Sequence, residues 1–222
     1  MSTKDKIKLV GYLYLLFLGI GVVLMVIIKS VDTFLVVDYY KLPSLLDHDV
    51  FRSIRALTHN NSFYIILLAA FFVPLVEETM FRLWLSFDPR HIAISLSVIL
   101  TYFLLGFKDL FKMNLMTVAI VSSFLLICLL TYQILKGINI EQFLKRIVSI
   151  KVLGSISAIS FGLVHIANFA PINTSIWFLY PIYVLPQIIL GYLTVFLRVK
   201  YGFIYGAGLH VLVNFVAVLV KI

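Results

Sequence analysis

The sequence of 222 residues contains little cysteine and little charge. Its one cysteine, Cys128, lies in an apolar run, which excludes a disulfide framework and a cysteine-based metal site. Only 13% of the residues are charged, whereas soluble domains carry about 25%. The sequence has no HExxH motif and no visible internal repeat. Its first apolar run lacks a small-residue cleavage site, so we expect a retained span rather than a signal peptide.

Hydrophobic residues, in contrast, make up 62% of the chain. A soluble domain is about 45–50% apolar, and a domain of this size could not bury the excess. Lipid is the natural solvent for that excess, and in lipid every backbone polar group must be satisfied within its own segment. The composition therefore predicts an all-α fold, a polytopic transmembrane helix bundle.

Seven apolar stretches are long enough, or nearly so, to cross a bilayer, and the third is short at about 17 residues. The predicted spans cover residues 9–28, 62–86, 91–107, 114–135, 152–170, 176–197 and 202–220. We divide the chain into residues 1–61, the first transmembrane helix with a long extracytoplasmic loop, and residues 62–222, a core of six spans.

Lysine and arginine residues give the chain a net charge of +8. Most of them lie in short connections, where they set the orientation of membrane spans, so we expect no nucleic-acid partner. Their distribution favours a multi-pass protein of the plasma (inner) membrane with a cytoplasmic N-terminus. The loop at residues 29–61 is either an interfacial helix or a solvated loop. Residues 137–151 combine apolar and basic side chains, which predicts a short amphipathic helix on the inner surface.

Two adjacent glutamates interrupt this apolar pattern. Glu77 and Glu78 follow an apolar run, and Arg82 stands four residues after Glu78. On a helix Glu78 and Arg82 are neighbours, whereas Glu77 is rotated away by about 100°. Arg82 can thus neutralise Glu78 while Glu77 faces the bundle interior. Pro74 predicts a kink that opens space beside Glu77. The simpler interpretation is a buried clasp that only fixes helix packing.

Two histidines are also set in apolar segments. His165 follows Phe161 at i+4. His210 shares a helix face with Asn214. Each histidine alone is readily explained as a hydrogen-bonded packing residue. Counted at about 1.5 Å per residue from the inner boundary, however, both lie near the depth of Glu77. This shared depth favours one cluster over three separate packing residues.

A carboxylate and two imidazoles in a water-accessible cavity are the components of a hydrolytic site. Glu77 would be the general base that takes a proton from water, and His165 would hold and polarise that water. His210 and Asn214 would donate hydrogen bonds to the oxyanion of the tetrahedral intermediate. Glu77, His165 and His210 could instead bind a single divalent metal such as zinc. The sequence has no HExxH motif to support a metal site, and the three residues come from separate segments, so ligand spacing does not decide between the two mechanisms. We favour the metal-free mechanism, and the metal-dependent one stays open.

The motifs EExxxR at Glu77, FxxxH at Phe161 and HxxxN at His210 follow one another on separate apolar segments. In this order they resemble the CPBP family of intramembrane proteases, which includes CAAX prenyl endopeptidases and bacterial bacteriocin-processing or Abi-type proteins. The resemblance covers about Phe71 to the C-terminus. Leu83 stands where the family usually has glycine, and two apparent spans separate the first motif from the second.

The resemblance implies a role for each matching position. Glu77 would be the catalytic base, with His165 as its water partner. His210 and Asn214 would stabilise the oxyanion, and Glu78 with Arg82 would be a supporting pair.

The leading interpretation is an intramembrane endopeptidase that hydrolyses a peptide bond in a membrane-associated peptide or protein by glutamate-activated water. The alternatives are a non-catalytic membrane scaffold or immunity-type protein of the same fold, and a proton-coupled transporter. A scaffold would not need Glu77 once Arg82 is paired with Glu78. The chain is short for a transporter and lacks a repeat. We therefore expect the lipid bilayer and a membrane peptide or protein as partners.

Overall fold

The computed structural model describes residues 1–47, 52–107, 110 and 114–221. Every regular element within these ranges is helical, which confirms the predicted all-α fold. The α-helices are α1 (Thr3–Val31), α2 (Arg52–Leu57), α3 (Ser62–Ile65), α4 (Val73–Phe81), α5 (Pro89–Leu105), α6 (Leu115–Gly137), α7 (Ile140–Ile147), α8 (Ile150–Val164), α9 (Tyr180–Tyr183), α10 (Leu185–Tyr201) and α11 (Phe203–Lys221).

Several turns depart from α-helical winding. A π-helical segment continues α1 over Asp32–Tyr39, and a second one, Ile66–Phe72, leads into α4. Pro74 lies in the first turn of α4, where the missing N–H of proline costs least. Tighter 3₁₀ segments cover Leu83–Ser86, His165–Phe169 and Thr174–Leu179. Such departures are common where a helix is adapted to a functional site.

The structure has fewer membrane-spanning helices than the seven predicted. Within the described ranges, five stretches are long and apolar enough to cross a membrane: Thr3–Tyr39, Ser62–Phe81, Leu115–Gly137, Ile150–Phe169 and Phe203–Lys221. A sixth is counted only if Thr174–Tyr183 and α10, which are bent by 41° relative to each other, form one span. The remaining predicted span is α5, whose 17 residues at about 1.5 Å each fall short of a ~30 Å hydrocarbon core.

The predicted span over residues 176–197 is not one continuous helix in the structure. α9 ends at Tyr183, and α10 begins at Leu185 with Pro186 in its first turn. Proline has no N–H, and its ring clashes with the carbonyl group four residues earlier. The helix therefore breaks at Val184.

The first helix is longer than predicted. It begins at Thr3, with Ser2 as its N-cap, and its π-helical continuation ends only at Tyr39. Residues 29–39 are therefore helical and not part of a loop. The rest of the predicted loop contains the short helix α2, and its residues 48–51 lie outside the described ranges.

The predicted amphipathic helix over residues 137–151 is confirmed as α7. Ile140 and Leu144 pack against a small core that contains Ile92 and Leu135. The basic residues of its last turn, Lys145 and Arg146, are exposed.

Small residues let α8 and α10 approach backbone to backbone. Gly154, Ala158 and Gly162 recur every four residues on α8 and share one face. A Cβ atom on Gly162 would lie 2.9 Å from the backbone nitrogen of Ile188. A Cβ atom on Gly191 would lie 2.9 Å from the carbonyl oxygen of Ala158. Because neither position has room for a side chain, this contact fixes how the end of α8, next to His165, sits on α10.

The first helix shares its hydrophobic core with the rest of the chain. Leu9, Leu13 and Phe17 of α1 pack against the buried Leu197 of α10 and Leu209 of α11. Further along, Ile28 and Val36 lie in a second core together with Tyr180 and Tyr183.

A buried carboxylate, Asp32, joins the first helix to the later part of the chain. Only 3% of Asp32 is exposed. It accepts hydrogen bonds from the Ser44 hydroxyl at 2.6 Å, the Leu45 N–H at 3.0 Å and the Tyr183 hydroxyl at 2.7 Å. Three donors satisfy a buried carboxylate that would otherwise be costly.

Candidate active site

The C-terminal end of α4, the helix that carries both glutamates, is held by side chains from other helices. Ser95 of α5 donates a hydrogen bond to the Thr79 carbonyl oxygen at 2.7 Å. Ser157 of α8 donates one to the Phe81 carbonyl oxygen. The last carbonyl groups of a helix have no partner within it, so these bonds cap α4 from outside.

Arg198 of α10 completes this cap. Its Nε donates to the Arg82 carbonyl oxygen at 3.1 Å, and its Nη2 donates to the Leu83 carbonyl oxygen at 3.0 Å. The C-terminal end of a helix carries a partial negative charge, which favours a cation at this position. Arg198 therefore fixes the end of the segment on which Glu77 and Glu78 stand.

Glu78 is buried and paired on two sides. Its Oε1 lies 3.3 Å from Nη1 of Arg82 and 2.9 Å from Nδ1 of His210. Glu78, Arg82 and His210 are each no more than 2% exposed. Buried charges are tolerated only when they are paired, so these three residues form one structural unit.

Glu77 lies beside both histidines. Its Oε1 is 3.8 Å from Nε2 of His165, and its Oε2 is 3.5 Å from Nε2 of His210. The Glu77 side chain keeps 23% exposure and that of His165 keeps 16%. Oε2 of Glu77 is buried and accepts no hydrogen bond from the part of the chain that the structure describes. Oε2 of Glu78 is likewise buried without a hydrogen-bond partner among the described residues, but Glu78 is almost fully buried, so the Glu77 carboxylate is the one that a further ligand can reach.

Both imidazoles are oriented through their Nδ1 atoms. Nδ1 of His165 lies 2.7 Å from the Phe161 carbonyl oxygen, and Nδ1 of His210 lies 2.9 Å from the Glu78 carboxylate. A carbonyl or carboxylate oxygen accepts hydrogen bonds, so each Nδ1 carries the hydrogen. In a neutral ring this leaves Nε2 as an acceptor, and in both rings Nε2 is the atom nearest Glu77.

Phe161 is the packing centre of the cluster. Its fully buried ring meets the His165 and His210 rings edge to face, with centroid distances of 4.7 and 5.2 Å. The Arg82 guanidinium lies 3.9 Å from the centroid of the same ring. None of the three guanidinium nitrogens forms a hydrogen bond with any residue in the described ranges, so Arg82 is held by its ion pair with Glu78 and by this cation–π contact.

Asn214 lies one helical turn after His210 on α11. Its amide nitrogen donates to the Ala69 carbonyl oxygen at 3.3 Å, within the π-helical segment before α4. The amide group has two hydrogens, so one is left for a further acceptor. The structure thus brings Glu77, Glu78, Arg82, His165 and His210 into one cluster, and it adds a link from Asn214 to the segment that leads to Glu77.

A metal version of the site requires Glu77, His165 and His210 to direct their donor atoms to one point. Over the ranges that the structure covers, no group of three or more His, Cys, Asp or Glu side chains is arranged so that it could hold a metal ion. The metal-dependent alternative stays a prediction, and the mechanism proposed below is the metal-free one.

Comparisons of the chain with family models, with curated proteins and with solved structures find no match. The geometry of the cluster and the resemblance of its motifs are therefore the basis of the function proposed below.

The residues that cap α4 are not among those predicted from the sequence. Arg198, Ser95 and Ser157 each act on a backbone carbonyl more than ten residues away. The sequence around a serine or arginine near the end of an apolar segment does not indicate which distant carbonyl group its side chain will bind. The recurring Gly154, Ala158 and Gly162, in contrast, are a visible signal for close helix packing.

Proposed function

We propose that the protein is an intramembrane endopeptidase of the CPBP type, which hydrolyses a peptide bond in a membrane-associated peptide or protein. The observation that carries this proposal is the position of the Glu77 carboxylate, 3.8 Å from Nε2 of His165 and 3.5 Å from Nε2 of His210. Both separations are longer than a direct hydrogen bond, so the carboxylate can hydrogen-bond to a water molecule that lies beside the two rings. A carboxylate beside such a water is the arrangement that general-base hydrolysis requires.

In the proposed reaction, Glu77 takes a proton from water while the water oxygen attacks the carbonyl carbon of the scissile bond. His165 orients that water by accepting its other hydrogen at Nε2. The carbonyl oxygen becomes an oxyanion, to which His210 and the free amide hydrogen of Asn214 donate hydrogen bonds. Glu77 then passes its proton to the leaving nitrogen as the carbon–nitrogen bond breaks, which yields a carboxylic acid and an amine.

Glu78 has a different task from Glu77 in this mechanism. His210 can donate from Nε2 while Nδ1 donates to Glu78 only if its ring carries both hydrogens. The Glu78 carboxylate, 2.9 Å from Nδ1, compensates the resulting positive charge. Arg82 pairs with the same oxygen of Glu78 and holds the carboxylate in place.

The surroundings of the site favour a substrate that is itself held in the bilayer. Glu77, His165 and His210 lie on three separate helical stretches that are each long and apolar enough to span a membrane. We propose that the protein resides in the plasma membrane with its N-terminus in the cytoplasm, because its basic residues are concentrated in the segments that this orientation places inside when all seven apolar stretches cross the membrane.

The test compares new protein N-termini in the membrane fraction of cells that express the wild type, Glu77→Gln or His165→Ala. We expect at least one membrane peptide that is cleaved by the wild type and remains uncleaved with either variant. Glu141→Gln, which changes an exposed glutamate on α7, is the matched control and should cleave normally. A chelator added to the purified wild type should leave cleavage of that peptide unchanged.

Identical N-termini in wild-type and Glu77→Gln cells, at equal levels of inserted protein, would overturn the proposal. In that case a cellular effect that survives the substitution would identify the protein as a non-catalytic scaffold or immunity-type protein.

A further inference from the structure

A groove of about 290 Å³ runs between α5 and α6, and it contains none of the candidate active-site residues. Its walls are formed by Ala93 and Ile94 of α5 and by Leu125, Cys128 and Leu129 of α6. Arg90 and Tyr132 also line it, near the start of α5 and the end of α6. The groove is thus apolar along its length and polar at one end.

The side of the bundle that contains the groove is exposed in the structure, and we expect it to face lipid. α6 packs mainly on α5 and α7, and it is long and apolar enough to span a membrane. Leu125 and Leu129, which line the groove, are each more than half exposed. A molecule in this groove must therefore be apolar where it meets these side chains.

The helices that line and flank the polar end of the groove carry further cations. α7 docks there because Ile140 and Leu144 share a core with Tyr132 and Cys128. Its exposed last turn adds Lys145 and Arg146, and Lys136 stands at the end of α6.

Two of these cations are paired and two are not. Arg90 is paired with Asp88 and Lys145 with Glu141, each at 2.7 Å. Lys136 and Arg146 form no ion pair with a residue in the described part of the chain. A local excess of positive charge remains beside the groove.

We propose that this groove binds one acyl chain of an anionic phospholipid, with the phosphate group of that lipid at Lys136 and Arg146. The occupant must be apolar along the groove and negative at its end, and an anionic phospholipid meets both conditions. A peptide strand would leave backbone polar groups unsatisfied against the apolar walls. A zwitterionic lipid would bring a second positive charge to a site that already has an excess.

The two tryptophans of the chain allow a direct test. Trp84 packs against Ile92 and Leu135, in the core next to the groove, whereas Trp177 is 69% exposed elsewhere. In Trp177→Phe protein, Trp84 is the only tryptophan. We would reconstitute this variant in vesicles and measure quenching of its fluorescence by phosphatidylglycerol or phosphatidylcholine with brominated acyl chains. Brominated phosphatidylglycerol should quench more strongly at equal mole fraction.

The double variant Lys136→Gln and Arg146→Gln should weaken this lipid preference by about fivefold for each cation removed. Lys200→Gln, at the end of α10, is the matched control and should retain the preference. Trp84→Phe protein, which reports through Trp177, should show no preference. Inorganic phosphate should not compete with the lipid.

Equal quenching by the two lipids would overturn the proposal, as would a preference that survives the double variant. Absence of quenching by either lipid, together with a dimer detected by cross-linking, would show that a second copy of the chain covers the groove.

Discussion

Nδ1 of His210 lies 2.9 Å from Oε1 of Glu78, and its Nε2 lies 3.5 Å from Oε2 of Glu77. One imidazole therefore connects two adjacent glutamates that helix geometry alone would direct to different sides. Because the burial of the two carboxylates differs, 1% exposed for Glu78 and 23% for Glu77, their loss should have different consequences.

Glu78→Gln should destabilise the protein strongly. The change leaves the buried Arg82 guanidinium without its anionic partner, which costs about 3–5 kcal/mol. Glu77→Gln removes a partly exposed carboxylate with no hydrogen-bond partner among the described residues and should cost less than about 1 kcal/mol. Thermal unfolding of the purified variants in detergent measures the difference. Equal losses in both would contradict the structural role of Glu78.

Arg198→Ala should loosen the end of α4. It removes two hydrogen bonds to backbone carbonyl groups from a charged donor, each contributing about 1.5–3 kcal/mol. We expect faster hydrogen–deuterium exchange over residues 80–88, read by mass spectrometry. Arg198→Lys should recover only part of the protection, because lysine lacks the forked donor geometry. Lys200→Ala, two residues away and exposed, is the control. If the exchange rate of these residues is the same in Arg198→Ala as in the wild type, Ser95 and Ser157 alone hold the C-terminal end of α4.

Gly162→Ala should disturb the contact of α8 with α10. The new Cβ would lie within 2.9 Å of the Ile188 backbone, which cannot yield as a flexible side chain can. Overpacking of this kind costs about 1–3 kcal/mol. Gly208→Ala on α11 adds the same methyl group in open space and should not lower the unfolding temperature. A Gly162→Ala protein as stable as the wild type would mean that the two helices can separate without cost.

Asp88 should contribute stability that disappears in acid. Hydrogen bonds from the Arg90 side chain lower the pKa of Asp88 to about 2. The usual pKa of aspartate is about 3.9, so this contribution is complete above that value and is lost as the pH falls from about 4 towards 2. An asparagine in place of Asp88 would still cap α5 but would carry no charge. The unfolding temperatures of Asp88→Asn and wild type should therefore differ at about pH 6 and converge towards about pH 2. A difference that is constant across this range would assign the effect to capping alone.

Local spacing was sufficient to predict part of the site. Glu78 and Arg82 are one helical turn apart in sequence, and the structure pairs them. His165 and His210 stand out because imidazoles are rare in apolar segments, and both reach Glu77. The His210 ring contacts both glutamates because of the way α11 lies against α4. The spacing of residues within one helix does not predict this arrangement.

The predicted number of spans was too high because the length and hydropathy of an apolar stretch do not show where its helix is interrupted. Pro186 marks the break in the predicted span 176–197, and the sequence contains it. The π-helical continuation of α1 through Asp32 has no such marker. In the sequence, a charged residue after an apolar run predicts a loop, and only the structure shows that Ser44 and Tyr183 donate hydrogen bonds to Asp32. Long-range bonds thus satisfy a carboxylate that the sequence places inside this helix.

The bond between Tyr183 and Asp32 spans 151 positions of the chain. During synthesis Asp32 leaves the ribosome long before its phenol partner exists. The carboxylate must stay in contact with water at the membrane surface until the segment around Tyr183 arrives, because an unpaired charge is costly in the hydrocarbon core. The first helix can therefore enter the membrane early, but the part that carries Asp32 reaches its final position only after most of the protein has been made.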